Sequence, residues 1–274
     1  MKKTTRIGTA KETLEIIKKG YYITKDDQQI EVRDEQNQAE KGTILYSPQT
    51  LTKLIEEQIL TAPYLTQYEV INQTTLNAVR AVLARGETEV CALNFASAKN
   101  PGGGFLGGAQ AQEESIARAT GLYPCLIKAW DYYELHRATK TMLYTDTMIY
   151  SPKVPIFKDE EGENLPELYT VSIITSAAVN AGVILRQEKR SIPEIEPTMR
   201  RRIEKVLALA AHHRQKVLVL GAWGCGVFQN EPSLIAALFA EHLLGKYKNV
   251  FEKVVFAIKS DKATFLSPFE SHFL

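Results

Sequence analysis

The sequence predicts an α/β fold in which a central sheet is covered by helices on both faces. Apolar runs with the length of buried strands alternate with segments that have helical periodicity. Two glycine-rich loops each follow a predicted strand and precede a predicted helix, as ligand-binding loops do in open α/β sheets. The 274 residues suffice for one large domain or for a domain with an extension.

The predicted elements alternate along most of the chain. Helices are expected at residues 10–19, from Pro48 onward, and at 74–86, 112–121, 125–138, 198–213 and 233–245. Strands are expected at residues 21–23, 30–32, 89–97, 147–151, 168–180, 216–223 and 253–260, with a polar connection at 152–167. Ser47 before Pro48 is a favourable helix start, and Gly86 favours a helix end.

The chain is predicted to divide into an accessory extension at residues 1–70 and a core at 71–274. The helices of the extension carry apolar faces, and no flexible linker separates them from the core. We therefore expect the extension to pack on the core, so that deletion of residues 1–70 would expose apolar surface and cause aggregation.

Composition excludes several classes of protein. The net charge of +1 gives no general attraction to nucleic acid or to an anionic membrane, so any anion site must be local. There is no apolar run of transmembrane length and no signal-peptide pattern. Three widely spaced cysteines indicate a reducing compartment, and we expect a cytoplasmic protein. No metal-binding spacing occurs, and neither a metal nor a cofactor is expected.

Half of the 16 glycines lie in the two loops: five within 102–108, and Gly221, Gly224 and Gly226. Glycine lets backbone N–H groups approach an anion closely, and a following helix start adds to such a phosphate cradle. Two cradles at strand ends predict an extended ligand that carries a diphosphate. Phe228 directly follows the second loop, where it could stack on a base or ribose or could simply anchor the loop.

Glu113 and Glu114 begin the helix after the first loop. A carboxylate at this position is ordinarily a partner of the helix dipole. If the loop holds a diphosphate, however, one glutamate can bind ribose hydroxyls while its neighbour reaches the anomeric carbon. Adjacent residues are poorly placed on opposite sides of a sugar, so one glutamate that switches from acid to base is the favoured interpretation.

The stretch "GGGFLGGAQAQEE" has a triple glycine, seven intervening residues and Gln-Glu-Glu. It resembles the signature of the bacterial-type poly(ADP-ribose) glycohydrolases, which are built on a macrodomain. The stretches "TDTMIYSPKVPIF", "IITSAAVN" and "GAWGCGVFQNEP" are similar to blocks of that family in the same order. The resemblance implies a three-layer α/β/α sandwich with a mixed central sheet, macrodomain-like, plus an N-terminal extension.

The resemblance also implies roles for individual residues. Glu114 would be the catalytic acid and base, and Glu113 would orient the ribose. The residues expected to bind ADP-ribose are Asn94, Gly102, Gly103, Gly104, Gln112, Gly224, Cys225, Gly226, Val227 and Phe228. Ser97 stands where many macrodomains have a second asparagine, and no ribose contact is assigned to its side chain.

The predicted function is hydrolysis of the ribose–ribose O-glycosidic bonds of poly(ADP-ribose) from the chain end, with release of ADP-ribose. The partner would be the polymer or an ADP-ribosylated macromolecule, without sequence-specific nucleic acid binding and without a membrane. The alternatives are a hydrolase of mono-ADP-ribosyl groups or of O-acyl-ADP-ribose, and a macrodomain that binds ADP-ribose without cleaving it.

Overall fold

The computed structural model describes all 274 residues and contains nine strands. In chain order they are β1 (Tyr21–Ile23), β2 (Gln29–Glu31), β3 (Ile44–Tyr46), β4 (Gln67–Ile71), β5 (Val90–Phe95), β6 (Met148–Lys158), β7 (Asn164–Ser176), β8 (Val217–Leu220) and β9 (Lys253–Ala257).

Eleven α-helices alternate with these strands, and 3-10 turns lie at Phe105–Gly107 and Lys189–Glu194. In chain order the helices are α1 (Lys3–Lys19), α2 (Arg33–Gly42), α3 (Pro48–Glu57), α4 (Thr75–Ala84), α5 (Gln112–Ala119), α6 (Leu122–Lys128), α7 (Asp131–Ala138), α8 (Ala181–Gln187), α9 (Ile195–His212), α10 (Pro232–Leu243) and α11 (Ala263–Phe273). Every helix is too short or too polar to cross a bilayer.

Seven strands form one mixed sheet in the order β3-β6-β7-β5-β8-β9-β4. The five strands from β7 to β4 run parallel, while β6 is antiparallel to both of its neighbours. The carboxyl ends of β7, β5, β8, β9 and β4 therefore meet along a single edge. β1 and β2 form a separate antiparallel pair.

Helices cover both faces of the sheet, as the sequence predicted. A cluster of 35 buried residues lies between one face and the layer that contains α3, α8, α9, α10 and α11. A second cluster of 25 buried residues lies between the other face and the layer that contains α2, α4, α5, α6 and α7. The predicted three-layer arrangement around a mixed sheet is confirmed.

The N-terminal 70 residues contribute to the central sheet. β3 forms one edge strand and β4 the other, and the predicted boundary at residue 70 lies inside β4. Both strands are short, which is why their periodicity gives a weak signal. The division into two domains stays a prediction, and residues 1–43 are the segment that precedes the first strand of the central sheet.

The connection predicted at residues 152–167 is instead a β-hairpin formed by β6 and β7. The two strands pair from Ile149 with Thr175 outward to Lys158 with Asn164, with register shifts on the way. Pro152 and Lys153 lie at one shift, and the positive φ of 45° at Lys153 marks the irregularity. Proline in a charged stretch indicates a linker, but a bulge accommodates it within a paired strand.

Candidate active site

A cleft of about 700 Å³ lies over the carboxyl ends of the parallel strands. It extends from the loop after β5 and the start of α5, past the loop after β8, to the segments that follow β9 and β4. Parallel strands bring their carboxyl ends to one edge, so loops that are distant in the chain share a single cleft.

Nine of the twelve predicted site residues line the cleft. These are Gly103, Gly104, Gln112, Glu113, Glu114, Gly224, Gly226, Val227 and Phe228. The other three, Asn94, Gly102 and Cys225, are buried behind its wall.

Glu113 is 3% exposed and joins the start of α5 to the end of β5. The Ser97 N–H donates to its Oε2 at 2.6 Å, and the Asn94 Nδ2 donates to its Oε1 at 3.3 Å. Burial raises the pKa of Glu113 to about 8 against the lowering effect of these hydrogen bonds. Asn94 therefore lies behind Glu113 and contacts its carboxyl group, while Glu113 itself faces the cleft.

Glu114 is half-buried and lines the cleft beside the first glycine loop. The Gly104 N–H donates to its Oε1 at 3.0 Å, whereas its Oε2 has no hydrogen-bond partner in the protein. Gly103 has a φ of +60°, and a Cβ there would overlap the Oε1 of Glu114 and lie 3.2 Å from the Oε2 of Glu113. Glycine at this position thus leaves the space that both carboxyl groups occupy.

Gln112 ties α5 to its neighbours. Its Nε2 donates to the Leu93 carbonyl at 2.7 Å and to the Thr75 hydroxyl at 3.0 Å, while its Oε1 accepts from the Phe95 N–H at 2.8 Å. These three bonds connect α5 to β5 and to the start of α4. The Gln-Glu-Glu sequence therefore fixes the start of α5 through its first two side chains.

The loop after β8 presents backbone donors to the cleft. The N–H groups of Gly226, Val227 and Phe228 have no acceptor in the protein, and all three residues line the cleft. Gly226 is exposed, and a Cβ there would meet nothing within 4 Å. Consecutive N–H groups without an acceptor are what an anion-binding nest requires, and the binding of an anion here stays a prediction.

Buried side chains hold this second loop in place. The Asn230 Nδ2 donates to the carbonyls of Val179 at 2.9 Å and Gly224 at 3.1 Å. Trp223 is fully buried, and its Nε1 donates to the Ser176 carbonyl at 3.3 Å. Cys225 is 6% exposed, and burial raises the pKa of its thiol to about 12, which makes it a poor nucleophile.

Sequence reasoning gave no role to four residues that line the cleft, namely Ser97, Thr74, Glu160 and Phe265. Ser97 fixes Glu113 through its backbone, and its Oγ accepts from the Asn100 N–H at 3.1 Å. Thr74 precedes α4, Glu160 is at the tip of the β6–β7 hairpin, and Phe265 is on α11. The hairpin carried a signal, because charged residues around a glycine separate two apolar runs. No group of three or more His, Cys, Asp or Glu side chains could hold a metal ion.

The raised pKa of Glu113 predicts how pH affects stability. The unfolded chain releases this proton near pH 4.5 and the folded protein near pH 8, so the free energy of unfolding should fall as pH rises between these values. In Glu113→Gln this contribution is absent, and stability relative to the wild type should increase with pH by an amount on the order of 1 kcal/mol per unit. Urea denaturation at pH 5 and pH 8 measures the free energy of unfolding of the wild type and of Glu113→Gln.

Glu252→Gln is the control, because that side chain is exposed and should leave the pH profile unchanged. If Glu113→Gln and the wild type lose stability in parallel between pH 5 and pH 8, the buried carboxyl group does not carry the proton that we assign to it.

The chain matches the family model described as microbial-type PARG, catalytic domain, over residues 10–159. The poly(ADP-ribose) glycohydrolase from Thermomonospora curvata is 41% identical over 98% of this chain and 100% of that one, with a TM-score of 0.94. The same enzyme bound to the inhibitor ADP-HPD has a TM-score of 0.92 at the same identity and coverage.

The poly(ADP-ribose) glycohydrolase from Deinococcus radiodurans in complex with ADP-ribose is 42% identical over 89% of this chain and 98% of that one, with a TM-score of 0.83. A comparison with curated proteins returned no match. The family model covers more than half of the chain, and the solved structures extend the likeness to almost all of it. The chain therefore belongs to the microbial-type poly(ADP-ribose) glycohydrolases, a family of hydrolases.

Proposed function

We propose that this chain cleaves the ribose–ribose O-glycosidic bond of poly(ADP-ribose) with Glu114 as general acid and base. The observation that supports this role is the environment of the carboxyl group. One oxygen is held by the Gly104 N–H, and the other has no partner and is free to meet a substrate in the cleft. A positioned group with one free oxygen is what proton transfer to a glycosidic oxygen needs.

ADP-ribose would bind with its diphosphate at the free N–H groups of Gly226, Val227 and Phe228. The ribose next to the diphosphate would then lie at the start of α5, where Glu113 and Glu114 line the cleft. Relatives of known structure bind ADP-ribose and the inhibitor ADP-HPD, which supports the same ligand class here. The ring of Phe228 also borders the cleft and supplies an apolar surface for the nucleotide.

Glu114 acts first as the acid, and it gives a proton to the bridging oxygen as the bond from ribose C1 to that oxygen breaks. The bonding electrons leave with the oxygen, which becomes a hydroxyl of the departing unit. Water then adds to C1 and gives a proton back to Glu114, so the enzyme is regenerated. The bound diphosphate, which is negatively charged, stabilises the positive charge that develops on the ribose.

Glu113 would hold the ribose while it remains protonated itself. Since its pKa is about 8, it places little negative charge beside Glu114 near neutral pH. Its carboxyl group is fixed by Ser97 and Asn94, so a ribose hydroxyl would meet an acceptor of fixed position.

A polymer is the substrate that the shape of the cleft favours. Asn100, Gly104 and Gln110 are exposed residues of the cleft wall on the side of Glu114. A departing ADP-ribose unit can therefore extend into solvent while the end unit occupies the cleft.

We also infer a reducing, cytoplasmic environment, because all three cysteines are free thiols in buried positions.

Glu114→Gln should abolish most of the hydrolysis and leave binding intact. The amide keeps an oxygen for the Gly104 N–H but cannot donate a proton as an acid, so kcat should fall about 10²- to 10⁴-fold. Release of ADP-ribose from polymer measures kcat, and the rise in melting temperature on addition of ADP-ribose measures binding.

Glu161→Gln is the matched control, because it removes a charge from an exposed residue that does not line the cleft. Full hydrolysis by a folded Glu114→Gln variant would refute the assigned role. Mono-ADP-ribosylated protein and an O-acyl-ADP-ribose ester serve as alternative substrates for the wild type, and we expect the polymer to be cleaved at the highest rate.

Gly103→Ala tests the space that the first loop leaves for the two carboxyl groups. The substitution strains a positive φ and drives a methyl group into the Glu114 carboxyl group, which must then move. We expect kcat/KM to fall about 100-fold, because small misplacements of catalytic groups have effects of this size.

Gly107→Ala in the same loop is the control. A Cβ at Gly107 meets nothing within 4 Å and φ is not positive, so kcat/KM should stay within about twofold of the wild-type value. Equal effects of the two substitutions would mean that general loop rigidity, rather than contact with Glu114, explains the requirement for glycine.

A further inference from the structure

An exposed part of α7 adjoins the wall of the cleft at Asn100, and the proposed mechanism does not use it. Asn100 belongs to the turn after β5 that also contains Gly104, whose N–H donates to the Oε1 of Glu114 at 3.0 Å. The residue before it, Lys99, accepts a hydrogen bond at its carbonyl from the Nη2 of Arg137 on α7. A short series of contacts therefore leads from the carboxyl group of Glu114 to the surface of α7.

Trp130 and Arg137 together form a flat patch at this place, which we call the Trp130–Arg137 surface. Trp130 is 39% exposed, although tryptophan side chains are on average largely buried. The guanidinium carbon of Arg137 lies 4.8 Å from the centre of the Trp130 ring, and the Nε1 of Trp130 donates to the Oε1 of Glu134 at 3.2 Å. The ring is therefore held at the surface by two contacts.

The helical repeat explains why these two side chains lie together beside the turn after β5. Trp130 directly precedes α7, whose buried side chains are Tyr132, Tyr133 and His136. Trp130 and Arg137 are seven residues apart, which is about two turns, so both lie along the same border of the buried face. The hydrogen bond from Arg137 to the turn after β5 shows that this border faces the cleft rim.

The chemistry of the Trp130–Arg137 surface suits a nucleotide. Aromatic rings and guanidinium planes are the groups on which unpaired bases stack, with little regard to the identity of the base. The guanidinium group of Arg137 is exposed, and within the protein only its Nη2 donates a hydrogen bond. Its other N–H groups can therefore donate to phosphate oxygens.

The charges around this surface also favour a polyanion. Lys99 lies in the adjoining turn, Arg137 lies on α7, and Lys140 follows the end of α7 by two residues. The acidic residues nearby are Asp131 and Glu134, and Glu134 is engaged with the indole N–H of the tryptophan. Cations therefore outnumber carboxylates at this place, although the net charge of the whole chain is only +1.

We propose that Trp130 and Arg137 form a second subsite, outside the cleft, for the ADP-ribose unit on the leaving-group side of the cleaved bond. The inference rests on the proposed function, since it assumes that the end unit of a polymer fills the cleft and that Glu114 meets the bridging oxygen. The next unit then leaves the cleft past Asn100, where its base stacks on the ring of Trp130 and its diphosphate meets Arg137. Two units of a polymer are bound in this way, but only one unit when the ligand is ADP-ribose.

The test compares the binding of ADP-ribose with that of a poly(ADP-ribose) fragment of two units. Isothermal titration calorimetry on the full chain gives both Kd values in Glu114→Gln, in which we expect cleavage to be about 10²- to 10⁴-fold slower. ADP-ribose fills the cleft alone, so the ratio of the two Kd values reports on the second subsite. The fragment should bind at least about tenfold more tightly, because stacking of one base has an effect of this order.

Trp130→Ala, added to Glu114→Gln, should weaken the binding of the fragment about tenfold and leave the Kd of ADP-ribose within about twofold. Trp130→Phe keeps an aromatic ring, and the fragment should bind within about threefold of its original Kd. The matched control is Leu135→Ala. Leu135 is 48% exposed on the same helix, about 140° around its axis from Trp130, and its removal should change neither Kd.

The outcomes separate this inference from the proposed function. If the ratio of the two Kd values is unchanged in a folded Trp130→Ala variant, or if the fragment and ADP-ribose bind equally before that substitution, the second subsite is wrong and the function stands. If neither the wild type nor Glu114→Gln binds ADP-ribose, the proposed function fails and the inference fails with it.

Discussion

The buried carboxyl group of Glu113 joins the loop after β5 to the start of α5, and the geometry of the cleft depends on this contact. The Ser97 N–H and the Asn94 amide hold the group from the side of the sheet. Because Glu114 is the next residue on the same helix turn, fixing Glu113 also fixes the position of Glu114. Gly103 completes the arrangement, since a side chain there would occupy the space of both carboxyl groups.

The two halves of the cleft use different chemistry. The loop after β8 offers backbone N–H groups without acceptors, while the start of α5 offers two carboxyl groups, and burial raises the pKa of Glu113. The loop after β8 attracts an anion, and the carboxyl groups at the start of α5 suit the hydroxyl groups of a sugar. A ligand that carries a diphosphate next to a ribose would satisfy both at once, which supports the proposal that ADP-ribose binds in this cleft.

The sequence predicted the parts of the site that depend on local chain order. Glycines between a strand and a helix, and acidic residues at the helix start, identify both loops because parallel strand ends meet at one edge. The family resemblance placed Asn94 and Cys225 at the ligand, but a position in a motif does not determine which way a side chain points. Both side chains are buried behind the wall, where Asn94 supports Glu113.

Features that depend on contacts between distant segments were not predictable. The β6–β7 hairpin has only a weak local signal, the charged turn around Gly162, and the edge strands β3 and β4 are too short to show a period. Lys158 at the hairpin tip forms an ion pair with Glu12 of α1, which lies more than a hundred positions away in the chain. Residues 1–43 therefore contact the hairpin whose tip lines the cleft, and no local pattern encodes this contact.

The central claim is that Glu114 meets the glycosidic oxygen of an ADP-ribose unit whose diphosphate lies on the second loop. A crystal structure of Glu114→Gln with a short poly(ADP-ribose) fragment tests this claim most directly. We predict the bridging oxygen at about 2.6–3.2 Å from the side chain at position 114, with phosphate oxygens on the N–H groups of Gly226, Val227 and Phe228. A fragment whose diphosphate lies elsewhere, or whose bridging oxygen is beyond hydrogen-bond reach of that side chain, would contradict it.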